Sequence, residues 1–388
     1  MRRRDFCTGM GLLWSLPTWA AAPGTGPDLA MLERARVLRA ADRFRDETPL
    51  TVTAFPAPRS PGGPRDYYSE GDYWWPDPAN PGGPYIRRDG FSNPDKFTAH
   101  RDALIRLSRI VPALVAAFDL TGDRRYADAA DRHLRAWFVD PTTRMAPHLN
   151  HAQAVIGINT GRGIGVIDTL HLVEVARAVA VLRRLWPDGG AYDPIIAWFD
   201  AYLTWMITSP NGIEERDQKN NHGTCWALQV AEFARLTGQA AARAQALDRI
   251  KALIAGQIAP DGSQPLELAR TKPFAYCLFN LDALAACAHI LSGPDHGLWR
   301  YRGAGGGSIA DALSFMAPFI ADKSRWPKPP DVEAWEGWPL RQPALLFGGL
   351  ALRRQDYLVL WQRLNPDPSD AELIRNYPLR QPLLWVDA

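Results

Sequence analysis

Hydrophobic positions along this chain recur with helical spacing from end to end. In NPDKFTAHRDALIRLSRIVPALVAAFDLTG (93–122), Leu104, Leu107, Val111, Leu114, Val115 and Phe118 share one face, the three-and-four spacing of an amphipathic helix. Asn93 suits the cap and Pro94 the first turn. Pro112 is expected to kink this helix or split it in two, because its ring removes a backbone donor. No run shows the sustained alternation of strands joined by hairpin turns. The turns repeat as well. Leu120-Thr121-Gly122, Leu236-Thr237-Gly238 and Leu291-Ser292-Gly293 each end one apolar helix just before another begins, with weaker punctuation at Trp186-Pro187-Asp188-Gly189 and Phe347-Gly348-Gly349. These glycines stand roughly 50 to 67 residues apart, one helix–turn–helix unit per step, and the chain has room for about six or seven units. The pattern predicts an all-α fold, a single (α/α) toroid of six or seven stacked hairpins.

Two stretches depart from this period. Residues 51–93 are dense in proline, glycine and aromatic rings, Tyr67, Tyr68, Tyr73, Trp74, Trp75 and Tyr85 among them. Disordered segments are poor in such rings, and a loop this long inside a domain is usually functional. An ordered lid or cleft wall is expected. Residues 1–22 read as an export signal: Arg3-Arg4-Asp5-Phe6 resembles a twin-arginine signal, and a short apolar stretch and small residues at 20–22 follow. A cut after Ala20 is preferred, since one after Ala22 would place Pro23 beside the scissile bond. Residues 23–388 then form one domain, with 51–93 as its lid. No other segment is expected to span a bilayer, which implies a periplasmic or secreted protein free of the membrane.

Composition narrows the choice of partner. The 388 residues are 46% hydrophobic and 22% charged, a globular balance. Removing Arg2, Arg3, Arg4 and Asp5 with the signal brings the formal net charge from +2 to zero, so no global field draws the protein to nucleic acid or membrane. The remaining Cys225, Cys277 and Cys287 have no metal-like spacing and form no disulfide framework. Fifteen tryptophans suit either a helical core or the stacking faces of a sugar cleft. The protein is expected to act as a monomer.

Three polar segments interrupt the helices. PHLNHAQAVIGINTGRGIGVID (147–168) carries His148, His151, Asn159 and Arg162; QKNNHGTCWALQ (218–229) carries Asn220, Asn221, His222 and Trp226; DGSQPLELARTKPFAYCLFNLDAL (261–284) carries Glu267, Arg270, Lys272 and Tyr276. Taken singly, each has a plain explanation. The asparagines could cap a helix, His222 could be a satisfied structural histidine, and Arg270 could pair with Glu267. His148 and His151 lack the partners of a zinc site, and no metal or other cofactor is expected. Taken together, amides, an imidazole, a guanidinium and a phenol without a catalytic carboxylate pair suit β-elimination on a uronic acid. There the C5 proton leaves only when the adjacent carboxylate is neutralised; a base must take that proton and an acid must protonate the departing O4, roles that one phenol can fill in turn. Tyr276 is expected in the first turn of a helix opened by Pro273. The helix N-terminus and nearby cations would lower its pKa. His222 is the competing base, with Trp226 packed beneath it; one asparagine is expected to cap the helix while the other holds the imidazole or the carboxylate.

The segments YWWPDP (73–78), PYIRRDGFSNP (84–94), NTGRGIGVID (159–168), NNHGTCW (220–226) and PLELARTKPFAY (265–276) resemble the alginate lyase superfamily, most closely its glucuronan-lyase branch with an (α/α) toroid. The resemblance implies a metal-free lyase acting on an anionic β-1,4-linked polyuronate, glucuronan or mannuronate-type alginate. It implies that Asn159 and Arg270 neutralise the carboxylate while His222 and Tyr276 carry the proton transfers. Substrate contacts are expected from Tyr73, Trp74, Trp75, Arg87 and Arg88 of the lid, and from His148, Arg162, Asn220, Asn221 and Trp226. Two other readings stand beside it. A glycoside hydrolase on the same toroid would need two flanking carboxyls, with Asp72, Asp77, Asp89, Asp168 and Glu267 as candidates. A uronate-binding protein would have no need of His222 with Tyr276.

Overall fold

Helices carry most of the described chain, residues 26–293 and 297–386 of a computed structural model; the signal reading of residues 1–22 lies outside them. In chain order they are α1 (Leu29–Phe44), α2 (Ala99–Thr121), α3 (Arg124–Phe138), α4 (Leu172–Leu185), α5 (Tyr192–Thr208), α6 (Pro210–Arg216) and α7 (Asn221–Thr237). There follow α8 (Ala240–Gln257), α9 (Pro265–Leu268), α10 (Pro273–Leu291), α11 (Ile309–Ala321), α12 (Pro343–Ala351), α13 (Gln355–Arg363) and α14 (Ala371–Arg375). Helices α2, α4, α7, α10 and α12 pack on one another in that order as the inner wall of the toroid, and α3, α8, α11 and α13 lie against their partners outside. Burial follows this division. Nearly every residue of α7 and α10 is buried, while α8 buries one stripe, as inner and surface helices should. The C-terminal Pro382–Leu384 turn packs against α1, α2 and α4.

Among the described residues five hairpins are formed, α2/α3, α4/α5, α7/α8, α10/α11 and α12/α13, fewer than the six or seven expected, with α1 flanking α2. The remaining length goes into the aromatic segment, the stretch between α3 and α4, and the tail. Gly122 and Gly238 end their helices in the left-handed conformation, as their positions predict. Gly348 and Gly349 differ: they lie inside α12, not at a turn. A Cβ on Gly348 would sit 2.3 Å from Leu313, and one on Gly349 2.6 Å from Leu358, so both serve close helix packing.

Three other expectations need correction. Helix α2 is one unbroken helix through Pro112, held by burial of both flanks against α1, α3 and α4. It starts after Thr98, because Asn93 donates to the Trp74 carbonyl and accepts from Asp95 N instead. Helix α10 is long and apolar enough to cross a membrane, contrary to the sequence reading, but it is 89% buried as a core helix.

The aromatic segment is ordered around two small sheets. Strands β1 (Tyr68–Glu70) and β4 (His151–Ala154) pair in parallel, and β2 (Trp74–Trp75) pairs antiparallel with β3 (Ile86–Arg87). Between β1 and β2 lies buried Asp72. Its carboxylate accepts from Arg101 of α2 at 2.7 and 2.9 Å and from Arg375 of α14 at 3.0 Å. Burial works to raise the Asp72 carboxyl, but Arg101 and Arg375 outweigh it and hold it far below the usual carboxylate range. Glu372 behaves alike: Arg375 and Lys272 overcome burial and bring it down to about 2. Removing one partner of a buried pair costs about 3–5 kcal/mol. Asp72→Ala is therefore expected to lower unfolding free energy by that order in urea titrations. Both carboxyls have depressed folded-state values, so their stabilisation is complete above about pH 5 and fades as acid approaches pH 2. The wild type should lose stability over that range and the variant less.

Candidate active site

Asp72 fixes where the next residue goes. Tyr73 reaches the N-terminal end of α10, where its hydroxyl lies 2.9 Å from that of Tyr276. Around Asp72 the chain is braced further: Tyr67, Ser69 and Gln153 donate to the buried Asp168 carboxylate at 3.1, 2.5 and 2.9 Å. Gln153, a non-glycine residue at φ +50°, also accepts from Arg162 through its backbone and side-chain oxygens.

Tyr276 stands in the first turn of α10 behind Pro273 at the helix start, as expected. Arg270 donates through NH2 to its hydroxyl at 2.9 Å, and the guanidinium carbon lies 4.0 Å from the ring centroid. Lys272 sits 5.2 Å from the Tyr73 ring and pairs with Glu372 at 2.6 Å. The predicted lowering of the phenol does not occur. Burial and the adjacent Tyr73 hydroxyl push Tyr276 well above its ordinary value, while Arg270 and Arg375 pull the other way. The helix end gives little help, because Asp331 accepts from Phe274 N and Ala275 N at 3.0 and 2.9 Å and caps it.

His222 occupies the equivalent first turn of α7. Asn220 caps that helix by accepting from His222 N at 3.3 Å. Asn221 is buried and gives its backbone N–H and Nδ2 to the two oxygens of Glu267 at 2.9 and 2.7 Å. Neither asparagine holds the imidazole. That role belongs to Glu215 of α6, whose fully buried carboxylate accepts from His222 Nδ1 at 2.9 and 3.1 Å. Fixing Nδ1 as the donor leaves Nε2 as the working nitrogen. Burial raises the carboxyls of Glu215 and Glu267; His222 opposes the first, and Asn221, Arg270 and His222 oppose the second. Glu267 thus ties the His222 turn to the Arg270 turn. Beneath both, Gln257 donates to the Lys219 and Asn220 carbonyls and accepts from Thr224 and Asn280.

Other predicted contacts fall elsewhere. Trp226 is fully buried and donates to the Met206 carbonyl, which makes it a core residue that no substrate reaches. Asn220 is a cap. Asn159 closes its own turn, its side-chain oxygen accepting from Val155 N. Arg162 lies 5.6 Å from the Trp74 ring, and Arg88 lies 5.1 Å from the Trp75 ring. Arg87 pairs with Asp89 at 2.6 Å. His148 pairs with Asp66 at 3.3 Å near Trp205. Sequence reading missed Glu215, Asp331 and the part Asp89 plays. In EERDQ the first glutamate takes Gly163 N and the second takes His222, yet both look like surface charges. The hydrolase candidates are all engaged: Asp72 and Asp168 in the buried network, Glu267 on Asn221, Asp89 on Arg270, and Asp77 in its own turn with Ala79 N.

A phenol and a carboxylate-held imidazole on neighbouring inner helices of a toroid, with a guanidinium on the connection between them, suit proton abstraction with departure of a sugar oxygen, the chemistry of a polysaccharide lyase. The chain is such an enzyme: the alginate lyase family pattern matches residues 51–326, and the protein belongs to that family. It is 31% identical to an alginate lyase from Bacteroides ovatus, over 89% of this chain and 93% of that one, with a TM-score of 0.75. Alginate lyase A1-III from Sphingomonas species A1 is 15% identical over 83% of this chain and 88% of its own, with a TM-score of 0.51. A variant of that lyase complexed with a tetrasaccharide is 16% identical over 84% and 87%, with a TM-score of 0.53. These two show a shared fold. No curated protein sequence matches the chain.

Because Glu215 sets the tautomer and orientation of His222, Glu215→Ala is expected to lower kcat by roughly 100-fold, the order that misplacing a positioning group costs. Glu215→Gln, which keeps an acceptor oxygen, should lose less. Steady-state kinetics on the two variants, with circular dichroism to verify folding, measure this.

Proposed function

We propose that this enzyme cleaves a β-1,4-linked polyuronate, glucuronan or mannuronate-type alginate, by metal-independent β-elimination, leaving 4,5-unsaturated uronate ends. The observation that carries the proposal is the Tyr276 hydroxyl within 2.9 Å of both Arg270 NH2 and the Tyr73 hydroxyl. In β-linked glucuronate and mannuronate the C5 hydrogen and O4 lie on one face of the ring, so a single phenol can serve both. Arg270, with the Asn221 amide anchored by Glu267, neutralises the carboxylate and lets negative charge build on it as C5–H breaks. Tyr276 as phenolate takes the C5 proton, the C4–O4 bond breaks as the C4–C5 double bond forms, and the same phenol returns the proton to O4. The enzyme is thereby regenerated. His222 offers Nε2 to the sugar beside this centre. Asn159 and Arg162, on the turn beneath the aromatic hairpin, serve an adjoining sugar with Trp74. Residues 51–93 act as the lid.

We further place the mature protein in the periplasm or outside the cell on the strength of Arg3-Arg4-Asp5-Phe6 and the small residues at 20–22, and take it to act as a monomer.

The test is ultraviolet absorbance of the unsaturated uronate, followed on glucuronan, polymannuronate, polyguluronate and hyaluronan in the presence of EDTA. A rise on either of the first two supports the reading, and their relative rates assign the substrate. A flat trace on all four would overturn it. Tyr276→Phe should lose roughly a thousandfold in kcat while retaining oligosaccharide binding by calorimetry. Since the phenol is held above its ordinary value and must ionise to act as base, kcat/KM is expected to keep rising with pH well above neutrality.

A further inference from the structure

The reaction above leaves the aspartate of the Arg87-Arg88-Asp89-Gly90 turn without a role, yet donors converge on it. Arg270 donates to the Asp89 carboxylate through NH2 at 2.9 Å and Nε at 3.3 Å, the Thr271 hydroxyl at 3.1 Å, and Arg87 at 2.6 Å. Gly90 follows at φ +81°, and a Cβ there would lie 2.2 Å from Thr271 Oγ1, so the turn is seated directly on the Arg270–Thr271 loop. Burial alone would raise the Asp89 carboxyl, but Arg270 overrides it and the net shift is downward, which keeps the group charged.

Arg270 NH2 has two hydrogens. One meets Asp89 and the other meets Tyr276 Oη at 2.9 Å. With Nε also on Asp89, the guanidinium plane is fixed by a two-point grip. NH1 is then the nitrogen without a hydrogen bond among the described residues, left for an incoming carboxylate.

We propose that Asp89 is a positioning residue, which orients Arg270 so that NH2 serves Tyr276 while NH1 serves the substrate carboxylate. This rests on the lyase reading of the site. It also gives the aromatic segment a direct part in assembling the reaction centre, because the residue that aims Arg270 belongs to that segment. Two other roles are possible for the same contacts: Asp89 could merely dock the segment, or it could compete with the substrate for Arg270.

Kinetics of full-length Asp89→Ala and Asp89→Asn beside the wild type, with and without sodium formate against a sodium chloride control, separate the three. Misplacing a substrate-positioning group costs roughly 100-fold, so Asp89→Ala is expected to lose about that much in kcat with KM little changed. Formate, a carboxylate small enough for the vacated seat, should restore part of that loss and leave the wild type unaffected. Asp89→Asn keeps the shape and one acceptor, and should lose about tenfold in kcat, part of the roughly 100-fold cost of misplacement; it carries the test if Asp89→Ala fails to fold. A raised KM at unchanged kcat would assign Asp89 to docking, a lowered KM at unchanged kcat would make it a competitor, and a kcat loss that formate does not repair would make its role structural. Each of these overturns the proposal. An active wild type with unaffected variants overturns it alone; a wild type inert on every polyuronate overturns the lyase reading together with it.

Discussion

A single buried carboxylate holds three distant parts of this chain in register. Asp72 lies between Arg101 of an inner helix and Arg375 near the C-terminus, and it is itself part of the aromatic segment. Burying charge is expensive, and the arrangement is tolerable only because each member has its partners. The consequence is geometric. With Asp72 immobile, Tyr73 has one place to go, and that place is the Tyr276 hydroxyl. Asp331, Glu333 and Glu372 complete the same wall. All of them, with Arg375, lie beyond residue 326, where the family pattern ends.

The toroid explains why the two proton-transfer candidates share one end of the molecule. A repeat of helical hairpins runs every inner helix in the same direction, so successive inner helices bring their N-termini to one face. His222 and Tyr276 both occupy first turns, of α7 and α10, and these helices pack together. Each is preceded by a short helix that supplies a carboxylate: Glu215 from α6 to the imidazole, Glu267 from α9 to the neighbouring amide. Inner helices carry the two candidates, and the connections between them carry their supports.

The electrostatics of Tyr276 are set by opposition. Burial and the second phenol favour the neutral form, Arg270 and Arg375 favour phenolate, and Asp331 has already taken the exposed amides of the helix end. A dry site strengthens every one of these interactions. Small movements of Arg270 therefore weigh heavily on the phenol, which makes its tether to Asp89 consequential.

Read alone, the sequence determined the helical period, the glycine turns at 122 and 238, an asparagine cap at 220 or 221 and the first-turn position of Tyr276; the structure chose Asn220 for the cap. Those depend on residues within a turn or two of one another, where spacing and backbone chemistry suffice. It also brought forward the polar segments that hold the site. It could not tell that Gly348 and Gly349 pack inside a helix, that Pro112 sits in an unbroken one, or that Trp226 is core, because inner helices are buried all round and show no polar face to orient them. Nor could it choose partners for the carboxylates. Glu215, Asp89, Asp331 and Asp72 are written as ordinary acidic residues, and only the tertiary structure decided which of them meets an imidazole, a guanidinium or a helix end. A charge has no local signature of its partner; burial and distance, which the whole fold sets, select it.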